Sequence, residues 1–247
     1  VSSGWSESFR AFSAHHVVVV LVCAGVMLSL CLLGRRWMRQ DRTRPRERRL
    51  RVAWAVFIAA WQVAAQAWWL LPGNFVLDKS LPLHVCDIAA MLAPVALLTG
   101  WRAARTIVWF WGVGLSTQAF FTPVLAEGCA DPEYWLFWVG HTQIVGTAAY
   151  LAAVMGYRPS WRDLALATSL SLLYAGAMVA LNVSLGTNYG YVGPSKPERP
   201  TVIDALGPWP GRVTWLCLIG TGAMALTWVP FAVAGARGSR AFGRIAQ

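Results

Sequence analysis

Long apolar runs separated by short polar stretches set the pattern of this chain. Seven runs approach the roughly 20 apolar residues a helix needs to cross bilayer hydrocarbon. They are 16–34, 52–71, 83–100, 106–124, 135–155, 164–185 and 213–234. A membrane β-barrel needs shorter segments alternating with period two, whereas these runs are apolar on all sides. The pattern predicts an all-α fold: one polytopic integral membrane helical bundle over residues 1–247, with seven transmembrane helices. The first run does not read as a cleaved leader, because its positive flank follows it rather than preceding it.

Charge orients the helices. With the N-terminus outside, 16 of the 21 Lys and Arg fall in cytoplasmic segments. These are nine arginines between Arg35 and Arg51, then Arg102, Arg105, Arg158, Arg162, Arg237, Arg240 and Arg244. Arg10, Lys79, Lys196, Arg199 and Arg212 remain outside. Basic residues favour the cytoplasmic side, so the C-terminus is expected inside and the loop 186–211 outside. The net charge of +10 is then a topology signal. The stretch "RRWMRQDRTRPRERRLR" joins two spans and reads as a loop lying against the membrane. There each basic residue attracts anionic lipid by about 1 kcal/mol; nucleic acid is not an expected partner. The composition agrees, being 57% hydrophobic and 13% charged where water-soluble domains carry about 25% charged residues. The expected location is the plasma membrane, multi-pass.

Polar groups within a bilayer are expensive, so each calls for a reason. Gln62 and Gln66 lie in the second run, His84, Cys86 and Asp87 in the third, and Ser116, Thr117 and Gln118 in the fourth. His141, Thr142 and Gln143 lie in the fifth, and Asn182 and Ser184 close the sixth. Most sit four to six residues inside the outer boundary, which predicts a polar cavity open toward the outer leaflet. His84 and Asp87, three apart, share a helix face. Cys86 points away from His84, so a base for its thiol would come from another helix, with His141 the best candidate. Pro82 suits a helix start there, and a helix N-terminus favours a thiolate. Other readings stay open: His84 and His141 as helix-packing hydrogen bonders, Asp87 as a partner of Lys79 or a histidine, and Cys86 as an inert thiol or disulfide partner of Cys129. The loop carrying "GTNYGY" is rich in Gly, Pro and aromatics and suits a lid, with Asn188, Tyr189 and Lys196 available to a substrate. No metal-type cysteine pair occurs and no cofactor is expected.

Four segments, "LPLHVCDIAAMLAP", "FWGVGLSTQAFFTP", "VGHTQIV" and "GTNYGYVGPSKP…IDALGPWP", occur in order from Leu81 to Pro210. In these the chain resembles the YwaF-like bacterial integral membrane proteins, related to animal transmembrane protein 164. The resemblance implies a helical membrane fold in the bacterial inner membrane and a cysteine-dependent phospholipid acyltransferase or acyl hydrolase. It implies Cys86 as nucleophile and His141 as its partner. Asp87 or His84 would orient the base or bind a head group, and Gln118, Asn182 or Asn188 would stabilise an oxyanion. Membrane phospholipids are the expected partners. The competing reading of the same polar layer is a transporter or receptor for a small polar or lipid ligand.

Overall fold

The computed structural model describes residues 4–40, 43–194 and 202–245, with side chains as far as residue 234. Among these the chain forms seven α-helices: α1 (Ala14–Gln40), α2 (Pro45–Trp69), α3 (Val85–Leu98), α4 (Arg102–Trp109), α5 (Pro132–Ala153), α6 (Trp161–Leu185) and α7 (Gly211–Ile245). No strand occurs among the described residues beyond one isolated bridge between Ser8 and Glu127.

Four helices are long and apolar enough to cross a membrane: α1, α2, α6 and the Gly211–Ala234 part of α7. They bury few of their own residues, and large apolar side chains such as Leu21, Val63, Leu173 and Leu226 stand exposed. Lipid is the solvent that accommodates such faces. The other three expected spans, 83–100, 106–124 and 135–155, are taken by inner helices. α3 packs against α2, α4 and α5, presenting Ala89, Ala90, Ala93 and Ala96 as its buried face. Small side chains let membrane helices approach closely. At 14 residues, α3 is about 21 Å long at the helical rise, short of the roughly 30 Å hydrocarbon core. α5 is long enough but mixes Tyr, Thr, Gln and His with its apolar residues, many of them buried by neighbours. Helices wrapped in protein need not be apolar all round.

The fourth run does not remain α-helical. α4 passes into a π-helical stretch, Phe110–Leu115, and then a 3-10 stretch, Ser116–Phe120. The polar residues at the change of helix type serve it locally: Ser116 Oγ donates to the Trp111 carbonyl at 2.8 Å, and Thr117 Oγ1 to that of Gly112 at 3.3 Å. A rewound helix frees carbonyls that need partners. α1 approaches α5 where Gly34 meets Tyr150; a Cβ there would stand 2.6 Å from the ring Cε2.

The end of the bundle at the α3 C-terminus is tied by ion pairs. Arg51 and Arg105 donate to the carbonyls of Leu97 and Ala96 at 2.8 and 3.2 Å, placing cations at the negative end of that helix. Buried Asp163 accepts from Arg102 through both carboxylate oxygens, from Thr106 at 3.0 Å and from Ser160 Oγ at 2.6 Å. At the opposite end the N-terminal segment folds back over the chain before α5. Phe9 N–H donates to the Ala126 carbonyl and Cys129 N–H to that of Trp5. His15 and His16 are buried beneath it, His15 Nε2 lying 2.8 Å from the Tyr134 hydroxyl. The sequence reading did not foresee this cap.

Candidate functional site

The site forms where α3 stops short of its end of the bundle. The helix starts at Val85, three residues later than Pro82 suggested, with His84 as the extended N-cap residue. Asp87 fixes that start: its Oδ2 accepts the His84 N–H at 2.9 Å, one half of a capping box. Cys86 is therefore the second residue of α3, at the positive end of the helix dipole. Its Sγ is 3.9 Å from Asp87 Oδ1, and no hydrogen bond joins it to His141. Cys86 and Cys129 are both free and pack in different apolar clusters. Lys79 pairs with Glu133 at 2.6 Å rather than with Asp87.

A loop from the end of α6 covers this turn. The Tyr189 and Tyr191 rings lie tilted against the His84 ring, with centroids 5.1 and 5.7 Å away. His84 Nδ1 accepts the Gly190 N–H at 3.4 Å, which leaves Nε2 to carry the proton of the neutral ring. Gly190 has φ +65, and a Cβ there would stand 2.6 Å from the Tyr174 hydroxyl. Only glycine meets both conditions without strain. Tyr174 itself donates to the Leu83 carbonyl at 2.7 Å, tying α6 to the approach to α3.

Three of the residues expected to touch substrate shape this loop. Asn182 is fully buried; its Oδ1 accepts from Thr187 Oγ1 and Tyr189 N at 2.8 Å each, and its Nδ2 donates to the Tyr189 carbonyl at 2.8 Å. Asn188 N–H donates to Asp78 at 2.6 Å, and its Oδ1 accepts from Gly193 N at 2.9 Å. Tyr189 is buried, its hydroxyl donating to the Leu77 carbonyl and accepting from Leu81 N at 3.2 Å. Lys196 lies outside the described residues.

His141 sits on α5 between the rings of Phe137 and Phe120. Its Nδ1 donates to the Phe137 carbonyl at 2.7 Å. A carbonyl only accepts, so the neutral ring keeps a free lone pair on Nε2. Among the described residues no hydrogen bond joins His141 to His84. Gln118 does not join them: it is exposed and accepts from Thr122 at 2.8 Å within its own turn. Gln62 pairs with Gln143 at 3.3 Å, away from the cysteine. The common depth of the polar residues thus resolves into one cluster around Cys86 and several local pairs.

Two residues absent from the sequence reading belong to the cluster. Tyr174 holds the Leu83 carbonyl just before the Cys86 turn, and the Tyr191 ring lies 5.7 Å from the His84 ring at the helix cap. Tyr191 has φ 61, rare for an aromatic residue. Its hydroxyl makes no hydrogen bond among the described residues. Burial, and then the neighbouring Cys86 and Asp87, push this phenol up, so it stays protonated. The second tyrosine of "GTNYGY" was a visible signal; Tyr174, amid an apolar run, gave none.

Cys86 is half-buried beneath this loop, and two grooves lie elsewhere. One of ≈ 460 Å³ is apolar and runs between α1 and α2. One of ≈ 600 Å³ lies at the opposite end beside Arg102, Ser160 and Arg162. Among the described residues no group of three His, Cys, Asp or Glu side chains is arranged to hold a metal ion. No curated protein and no solved structure matches the chain. The model of the TMEM164 family matches residues 11–228.

Proposed function

The chain belongs to the TMEM164 family and is a multi-pass helical membrane protein; from that premise we propose that it is a cysteine-dependent acyltransferase or acyl hydrolase acting on phospholipid. Cys86 is the nucleophile. The observation that carries the reading is a free thiol on the first turn of a helix too short to span, beside a carboxylate and beneath tyrosine rings. A helix that ends early leaves its N-terminal turn below the head groups, the depth of a phospholipid ester. The division of basic residues, 16 against 5, supports seven crossings with this end of the bundle outside, so the lipid comes from the outer leaflet.

In the first half-reaction Sγ attacks the ester carbonyl carbon. The S–C bond forms, the C–O bond to glycerol breaks, and the thiol proton passes to the departing alkoxide. The products are an acyl-thioester on Cys86 and a lysophospholipid. Asp87, at 3.9 Å from Sγ, is the nearest proton acceptor, and His141 offers Nε2 as the second. A second lysophospholipid, or water, then takes the acyl group. The loop carrying Tyr189 and Tyr191 covers the half-buried Cys86 turn, which suits the role of a lid over the substrate.

The test is a reconstituted protein in liposomes of phospholipid with an alkyne-tagged acyl chain. A hydroxylamine-sensitive tag should appear on Cys86 and should be lost in Cys86→Ser. His141→Ala should slow tagging by about 10²-fold or more. Saturable lipid binding with no tag on any cysteine would instead favour the transporter or receptor reading.

A further inference from the structure

The loop over α3 is held so firmly that the conformation of Tyr191 calls for an explanation. Each residue around it is clamped by a side chain from elsewhere. Asn182 takes both backbone groups of Tyr189. His84 takes the N–H of Gly190. Trp209 Nε1 donates to the Val192 carbonyl at 2.9 Å, and Arg212 Nη2 to the Gly193 carbonyl at 2.8 Å. Within this frame Tyr191 stands in the left-handed region, at φ 61. A non-glycine residue keeps such a conformation only where its surroundings over-determine it, and such strain gathers at functional sites.

The strain aims a ring rather than completing a bond. Tyr189 and Tyr174 both spend their hydroxyls on backbone carbonyls. The Tyr191 hydroxyl has no hydrogen-bond partner among the described residues, although its ring lies on His84 beside the turn that carries Cys86. A half-buried phenol that makes no hydrogen bond among the described residues can donate to a ligand that reaches it.

We infer that Tyr191 donates its O–H to the oxyanion that forms when Cys86 attacks an ester carbonyl; the inference rests on the acyl-transfer reading. As the S–C bond forms, the carbonyl π electrons move onto oxygen. Tyr191 holds that oxygen by a hydrogen bond and keeps its proton. When the carbonyl re-forms, the electrons return and the C–O bond to glycerol breaks. Tyr191 contributes as the donor of an oxyanion hole, a group worth about 10²–10³ in rate when removed.

Two phospholipid analogues separate the possibilities. A trifluoromethyl-ketone phospholipid adds Cys86 to give a tetrahedral adduct with the negative oxygen. The matching ether phospholipid reports ground-state binding alone. Tyr191→Phe keeps the ring beside His84 and removes a hydroxyl that makes no hydrogen bond among the described residues, so its melting temperature should match the parent. The expected result is an affinity for the ketone about 10²-fold weaker, with ether binding unchanged. A ketone affinity unaltered in Tyr191→Phe overturns the inference while leaving the nucleophile in place. Equal losses for ketone and ether overturn it in favour of a ground-state binding role. If the parent binds ketone no tighter than ether, and Cys86→Ser changes neither, the acyl-transfer reading fails and this inference with it.

Discussion

At the scale of single residues, the site is held together by polar side chains that bond its own loop. Asn182 is the clearest case. Its amide makes three hydrogen bonds to the segment Thr187–Tyr189 while fully buried. Asn182→Ala strands those groups in a dry setting, where each costs about 1–3 kcal/mol, so a total loss of about 2–4 kcal/mol is expected. Thermal unfolding in nanodiscs would measure it. Ser184→Ala, which removes an exposed hydroxyl bonded within its own helix, should stay within about 0.5 kcal/mol; a comparable loss there would show that the clamp is not what Asn182 contributes. The sequence made Asn182 visible as a polar residue in an apolar run but could not say whether its amide faces a ligand or its own loop. Cys86 and Asp87 were legible because helix-start chemistry is local. Tyr191 was not, because its importance lies in a backbone angle imposed by residues as far away as Trp209 and Arg212.

At the scale of elements, hydropathy read the outer helices well and the inner ones only in outline. α1, α2, α6 and α7 meet lipid, and lipid demands the long apolar runs that the sequence displays. The run 83–100 was longer than α3 proves to be, because its first residues form the approach and cap rather than helix. The run 106–124 gave no warning of a π-helical stretch, which depends on packing against α5 and α7. The ties between elements were hidden in the basic residues, which served only as a count. Asp163 joins the start of α6 to α4 through Arg102 and Thr106. Asp163→Ala leaves Ser160, Thr106 and Arg102 without their common acceptor and should cost about 2–3 kcal/mol. Arg102→Ala should cost about 1 kcal/mol or less, because Arg102 has 60% of its side chain in solvent and exposed pairs contribute little. Equal losses in unfolding experiments on the two variants would contradict this asymmetry.

At the scale of the whole molecule, one fact organises the rest: the cysteine and its polar neighbours collect at the end of the bundle where α3 begins, and Arg51, Arg102 and Arg105 tie the end where it finishes. In the orientation we propose from the positive-inside bias, the second end faces the cytoplasm. With native cysteines replaced, single variants Gln40→Cys and Gly73→Cys place thiols at exposed positions on opposite ends. A membrane-impermeant maleimide added to intact cells should label Gly73→Cys alone. Labelling of Gln40→Cys alone would reverse the topology and move the Cys86 turn to the inner leaflet.

The shortness of α3 also bears on how the protein is made. A segment of 14 helical residues, flanked by capping and loop sequence, is a poor candidate for independent insertion from the ribosome into lipid. Its neighbours α2 and α4 arrive around it in time, but α5, which completes its packing, is synthesised only afterwards. Until then its alanine face has no full set of partners. Biogenesis therefore calls for α3 to be retained at the insertion machinery until α5 emerges, so that the centre of the bundle enters the bilayer as a group while the outer helices can enter one by one.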